Sequence, residues 1–134
     1  MSAFQKLSVR TREHTQLVDV TDLIRREARA AGWREGVITL FVPHTTAGIT
    51  IQENADPDVA RDLIVALERA VPWESRDYRH GEGNTAAHVK ASLVGSSAQV
   101  FVQDGELALG TWQAVYFCEF DGPRSRELWL RFSD

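Results

Sequence analysis

Residues 36–57 read GVITLFVPHTTAGITIQENADP, and this run decides the fold. Gly36–Val42 is nearly all apolar and β-branched, the pattern of a strand covered on both faces. Pro43 ends it. The stretch from Thr45 to Ile51 then alternates as a second strand, and the two are expected to pair. Asp56-Pro57-Asp58 starts a helix: Asp56 can cap it, Pro57 suits the first helical position, and Asp58 favours the positive end of the dipole. Polar groups therefore gather at both ends of the second strand. His44, Thr45 and Thr46 lead into it, while Glu53, Asn54 and Asp56 follow it, an arrangement by which a rigid element presents a site.

Outward from this run the chain punctuates itself. Phe4–Arg10 alternates loosely and Gln16–Val20 reads as another strand. Thr21 is a suitable N-cap for a helix carrying Leu23, Ile24, Ala28 and Ala31 on one side, with Gly32 placed to stop it. Beyond Asp56, Val59, Leu63, Ala66, Leu67 and Ala70 mark a helical core face that ends before Pro72. Tyr78–Asn84 is loop, and Ala86–Leu93 allows about two helical turns before Gly95. Three strands close the chain: Ala98–Val102, Thr111–Phe120 and Glu127–Phe132. Gln103-Asp104-Gly105 and Asp121-Gly122-Pro123 are the turns between them. Strands outnumber helices and most are hairpin-linked, so the fold class is α+β with largely antiparallel sheet. No linker or repeat divides residues 1–134, which read as a single domain.

The chain has 134 residues, enough to bury a core without staples. Its formal charge of −4 argues against a nucleic-acid partner, which calls for a basic excess. No apolar run approaches the roughly 18 residues of a membrane span. One cysteine, Cys118, cannot form an internal disulfide and fits a reducing compartment. With no secretory pattern at the start, the expected location is the cytoplasm.

His44, His80 and His88 are the candidate ligands of a metal or acid–base centre. Zinc takes neutral imidazole nitrogen at about 2.0–2.1 Å, and catalytic sites typically use three protein ligands plus water. His44 follows a strand-ending proline and belongs at a sheet rim. On one continuous helix His80 and His88 would lie about 12 Å apart, but Gly81 and Gly83 break such a helix and let them meet. Their spacing matches no standard zinc signature, so a shared ion and three unrelated surface histidines both stay open on spacing alone. His14 reads as a solvated turn residue. Asp56 has a structural duty as a cap, whereas Glu53 has none and is the better general base or ligand-orienting partner. Cys118, among apolar neighbours, reads as an inert core thiol. Arg124 and Arg126 follow a Gly-Pro turn, where forked donors can grip phosphate and where exposed hairpin arginines are also common.

Three blocks carry a resemblance. The first is His44-Thr45-Thr46-Ala47 with Glu53-Asn54-Ala55-Asp56-Pro57. The second is Tyr78-Arg79-His80, Gly83-Asn84 and Ala87-His88-Val89-Lys90-Ala91-Ser92-Leu93. The third is Ser97–Gly105 followed by Leu109-Gly110-Thr111-Trp112-Gln113-Ala114-Val115. Together they resemble the YjbQ-like family, the so-called secondary thiamine-phosphate synthases, over nearly the whole chain.

The resemblance implies a compact α+β sandwich assembled as a homotrimer, with His44, His80 and His88 gathered at a divalent metal. Zinc is the first expectation, with magnesium or manganese as alternatives. It also implies a weak thiamine-phosphate synthase activity that joins hydroxymethylpyrimidine diphosphate to thiazole phosphate, and leaves the physiological phosphorylated metabolite open. In that reaction diphosphate leaves as positive charge builds on the methylene, so donors and a cation near the leaving group are needed. Thr45, Thr46, Ser96 and Ser97 are candidate hydroxyl donors, with Asn84 and Arg124 beside them as substrate-binding groups. Glu53, Asn54 and Asp56 are the candidate catalytic set. Metal-assisted hydrolysis of a small phosphorylated metabolite, with Glu53 as base, is an alternative, and non-catalytic metal or phosphate binding is a third. Trp112, Tyr116, Phe117 and Trp129 in the last strands supply an apolar and aromatic surplus consistent with a trimer interface, although one subunit's own core could absorb the same residues.

Overall fold

The computed structural model describes residues 3–134. In chain order the elements are β1 (Phe4–Arg10), β2 (Gln16–Asp19), α1 (Thr21–Ala31), β3 (Gly36–Phe41), β4 (Ala47–Glu53), α2 (Pro57–Ala70), α3 (Thr85–Val94), β5 (Ser97–Gln103), β6 (Glu106–Ala108), β7 (Gln113–Glu119) and β8 (Ser125–Ser133). Five strands form one sheet in the order β1-β8-β3-β5-β6, and three form another in the order β2-β7-β4. Every pairing is antiparallel. The class is α+β, as expected. Among the described residues no helix is long and apolar enough to cross a membrane.

The middle strand of the smaller sheet explains the layering. β7 reads QAVYFCE and is buried on both faces, hence its nearly unbroken apolar run. Val115 and Phe117 point into a core shared with Leu7, Ile38, Leu40, Val100, Leu128 and Leu130 of the larger sheet and with Ile24 and Ala28 of α1. Ala114, Tyr116 and Cys118 point the other way, into a smaller core with Ala87 and Ala91 of α3, Leu67 of α2, and Trp73. The layers are therefore sheet, core, sheet, core and then α3 and α2, while α1 packs into the core between the sheets. α2 buries no residue fully, so the core face read from its sequence is reduced to Leu67 against the smaller core. Burial pushes the Cys118 thiol up to about 12, in keeping with an inert core residue.

Several sequence expectations are corrected. β3 and β4 do not pair: β3 lies between β5 and β8, and β4 pairs with β7 in the other sheet. The Pro43–Thr46 link carries the chain from one sheet to the other instead of making a hairpin. Thr21 does not cap α1. The Asp19 carboxylate accepts from the Thr21 amide at 3.0 Å, and the Thr21 hydroxyl accepts from Val115 N–H at 2.9 Å, tying α1 to β7. β6 has no signature in the sequence, because three residues are too few for a visible period. Tyr116 and Phe117 belong to one chain's own interior, whereas Trp112 is 62 % exposed. Asp56 does cap α2, accepting from Asp58 N–H at 2.9 Å, and Gly32 closes α1 in the left-handed conformation at φ 72°.

One ion pair joins the two sheets. Arg126 of β8, 6 % exposed, forks onto the fully buried Glu119 of β7. Its Nε donates to Glu119 Oε1 at 2.8 Å and an Nη2 hydrogen goes to Oε2. The Thr11 hydroxyl donates to Oε1 at 2.8 Å and the Asp121 amide to Oε2 at 3.0 Å. Burial alone would push the Glu119 carboxyl up. Arg126, the Asp121 amide and Thr11 together outweigh it and hold the group below its ordinary value. Arg126 is thus neither the exposed hairpin arginine nor the free phosphate grip that the sequence left open.

Gly48 sets how close α3 comes to β4. A Cβ there would stand 2.7 Å from the Gly95 carbonyl oxygen and 3.1 Å from Val94 Cγ1. Gly48→Ala is expected to cost roughly 1–3 kcal/mol through overpacking, read as a lower urea midpoint at unchanged slope. An unchanged midpoint would show that the helix has room to move.

Candidate functional site

The Pro43–Thr46 crossing, the loop before α3 and the β7–β8 turn converge on one cleft. It holds about 430 Å³ and is lined by Pro43, His44, Thr45, Thr46, His80, Glu82, Asn84, His88, Arg124 and Arg126. The three histidines named from sequence therefore share one recess. The His80 and His88 rings are neighbours, with centroids 5.3 Å apart and planes at 83°. A second recess shares His44, Thr45 and His88 and runs past Ser92, Gly95 and Ser96 along the end of α3.

His44 is held differently from the other two. The Glu127 backbone amide donates to its Nε2 at 2.9 Å. A ring that accepts at Nε2 carries its proton at Nδ1 when neutral. Burial first, and then the Arg126 guanidinium, push its pKa below the ordinary value, so the neutral Nδ1–H form prevails near pH 7.

The fit to a metal can be judged from these rings. Two imidazoles sharing a tetrahedral zinc place their centres about 5 Å apart, and the His80–His88 spacing of 5.3 Å agrees with that. His44 does not fit as third ligand while its present bond stands. Binding through Nε2 displaces the Glu127 amide, and binding through Nδ1 puts a hydrogen on Nε2 facing that amide. Among the described residues no three His, Cys, Asp or Glu side chains close into a ligand set.

The polar wall is partly spoken for. Asn84, 6 % exposed, donates from Nδ2 to Asp121 Oδ2 at 2.9 Å, while its buried Oδ1 has no partner. The Thr85 hydroxyl is likewise buried without one. Arg124 is pinned by Nε to the Asp121 carbonyl at 2.7 Å and by Nη2 to Asp121 Oδ2 at 3.0 Å. The Thr46 hydroxyl accepts from Arg126 at 2.8 Å and so belongs to the ion-pair network, whereas Thr45 is exposed on the cleft. Ser96 lies in the second recess. Ser97 opens β5 opposite Phe41 and is not among the residues lining either recess.

Glu53, Asn54 and Asp56 are not brought to the histidines within one chain. Glu53 ends β4 and the other two follow it, and the seven residues of that strand span roughly 20 Å from the His44 end. There Asn54 Nδ2 donates to Asp19 at 3.1 Å, Tyr116 Oη donates to the Glu53 carbonyl at 3.3 Å, and Asp56 caps α2. Sequence reasoning missed Glu82, a carboxylate on the cleft wall. Its setting between two glycines, directly after His80-Gly81, was the available signal. The Asp121 carboxylate, which organises both Asn84 and Arg124, carried no signal beyond its turn.

The state of His44 makes a pH prediction. Its lowered folded pKa means that the unfolded chain binds more protons just below the ordinary value of about 6.5. Stability contributed by this group is therefore full above that value and falls as pH drops through it. His44→Gln keeps an acceptor for Glu127 and does not titrate. The stability difference between wild type and variant should change below about pH 6.5 and stay flat above it. A difference constant across that range would contradict this.

The comparisons with known proteins agree with one another. Residues 5–134 match the family model described as UPF0047 protein YjbQ-like. The chain is 47 % identical over 125 residues to the UPF0047 protein YugU of Bacillus subtilis, covering 93 % of this chain and 95 % of that one. It is 44 % identical over 126 residues to a UPF0047 protein of Methanocaldococcus jannaschii, covering 94 % and 91 %. The crystal structure of an uncharacterized conserved YjbQ/UPF0047 family protein from Clostridium acetobutylicum superposes with a TM-score of 0.92 at 48 % identity, covering 96 % of this chain and 99 % of that one. This chain belongs to the UPF0047 YjbQ-like family.

Proposed function

We propose that the His44–His80–His88 cleft is the active site for a small phosphorylated metabolite, working with a divalent ion held by His80 and His88. The observation that carries the reading is the adjacent His80–His88 pair, opening on the same cleft as Thr45, Arg124 and Asn84, whose buried Oδ1 has no partner. Zinc suits two imidazoles best, with magnesium or manganese as alternatives. When bound, the ion supplies positive charge for a phosphate-type leaving group.

The chain's own groups divide the remaining work. His44 offers an Nδ1–H donor beside Thr45. Arg124, oriented by Asp121, offers guanidinium hydrogens to phosphate oxygens. Asn84 Oδ1 is an acceptor and so suits an amino or hydroxyl group on the organic part of the ligand. The reaction we assign is slow thiamine-phosphate formation. The bond between the pyrimidine methylene and the diphosphate oxygen breaks, and the thiazole nitrogen bonds to that methylene. The pyrimidine's exocyclic amine is the donor Asn84 lacks. Slowness follows from the absence of a Gly-rich phosphate loop in the sequence. The family resemblance supports this choice and, with it, a cytoplasmic homotrimer. Among the described residues, exposed Phe41, Val89, Leu93, Phe101 and Trp112 offer surface for assembly.

One observation favours hydrolysis as a second reading. Glu82 lines the cleft with His80, where a carboxylate can take a proton from attacking water, the role considered above for Glu53.

Metal content, product and mass are measured together. Purified protein should carry a divalent ion that His80→Ala and His88→Ala each lose and His44→Gln keeps, and its mass in solution should be three times 15.0 kDa. With zinc, the pyrimidine diphosphate and the thiazole phosphate, mass spectrometry should find thiamine phosphate. Its yield should be little changed in Glu82→Gln. Release of the pyrimidine alcohol that falls about 100-fold or more in Glu82→Gln would establish hydrolysis instead. Ion content untouched by both alanine variants would sink the metal reading, and single-chain mass at micromolar concentration the trimer.

A further inference from the structure

Lys90 sits about 200° round α3 from His88, on the side away from the cleft, and is only 2 % exposed. It shares the buried face of the helix with Ala86, Ala87 and Ala91. Those alanines let the helix settle close to the smaller sheet, so the lysine stem is covered. Among the described residues nothing hydrogen-bonds to its amine and no carboxylate stands within ion-pair distance. A buried lysine of this kind is rare unless paired. The ordinary reading is a stem that covers apolar surface while its head reaches water; here Lys90 lines a recess.

That recess holds about 520 Å³ and is lined by His14, Glu68, Trp73, Lys90 and Asp121. Trp73 presents a flat aromatic wall, braced edge-on by the His14 ring at 4.5 Å. Asp121 is already engaged by Asn84 and Arg124, and its other oxygen lies 3.8 Å from His14 Nε2. Two carboxylates on the wall oppose an anionic guest. An aromatic face beside an unpaired amine suits an uncharged electrophile. Burial lowers the pKa of Lys90, with Glu68 opposing, which enlarges the share of nucleophilic free amine.

We propose that this recess is a second site, in which the Lys90 amine condenses with a small aromatic or apolar aldehyde to form an imine. The Nζ lone pair attacks the carbonyl carbon. The two amine hydrogens leave with the carbonyl oxygen as water, and a carbon–nitrogen double bond remains. No oxidant or reductant is needed. His14 and Glu68 are the groups at hand to move the protons. The site stands apart from the metal reading of the cleft and does not depend on it.

The sequence supplies its own control, because Lys6 and Lys90 are the only lysines. Lys6 is exposed on the outer face of the larger sheet, 4.9 Å from the Trp129 ring centre. The full chain is incubated near neutral pH with benzaldehyde and cyanoborohydride, and the reduced adducts are mapped by peptide mass spectrometry. Lys90 should be modified several-fold faster than Lys6, because burial lowers the pKa of Lys90 and the Trp73 wall holds the aldehyde beside its amine. The preference should vanish in denaturing urea, and Lys90→Arg should abolish the fast adduct. Equal rates in the folded chain, faster modification at Lys6, or no adduct at Lys90 would each overturn the proposal.

Discussion

The Glu119–Arg126 pair is the constraint on which the rest of the molecule depends. It is the polar tie between a strand of the three-stranded sheet and a strand of the five-stranded one, set under the cleft. A buried carboxylate and guanidinium are costly to desolvate, and the cost is offset only when both are fully bonded. Here they are: Thr11, Thr46 and the Asp121 amide complete the two forks. The pair therefore fixes the ends of β1, β7 and β8 and the entry to β4 relative to one another. Those segments, with the loop and helix carrying His80 and His88, make the cleft.

From that tie the site's electrostatics follow. Arg126 is too deeply engaged to bind a ligand, but its charge helps keep His44 neutral. His44 is anchored through Glu127, the residue next to Arg126, so the ion pair and the imidazole are set by the same stretch of β8. Asp121, whose amide bonds Glu119, turns its carboxylate to Asn84 and Arg124. One buried pair thus orients both the floor and the rim, while Gly48 lets α3 carry His88 up to β4.

Elements were legible in the sequence where local chemistry decides them. Asp56-Pro57 at the start of α2, Gly32 at the end of α1, and the strands around β3, β5, β7 and β8 follow from capping, punctuation and period. Pairing was not legible. Two neighbouring strands joined by Pro43–Thr46 look like a hairpin, and only the partners supplied by distant β8 and β7 send them to different sheets. Spacing alone left the three histidines open between a shared site and unrelated surface positions, since the glycines only permit the chain to fold back, and it was the family resemblance that gathered them. Glu82 was overlooked inside that glycine stretch, and the hydrogen bond that occupies His44 Nε2 comes from a backbone group 83 residues away. The placement of Glu53, Asn54 and Asp56 at the far end of β4 follows from strand geometry alone: a rigid strand separates what lies at its two ends.

A double-mutant cycle on Glu119 and Arg126, read by chemical denaturation, tests the central claim most directly. Glu119→Leu and Arg126→Met should each cost about 3–5 kcal/mol, because each strands a buried charge. The double variant should lose far less than the sum of the two, since no charge is then left unpaired. Costs below about 1 kcal/mol for each single change, typical of an exposed pair, or costs that simply add, would show that this pair does not hold the two sheets together.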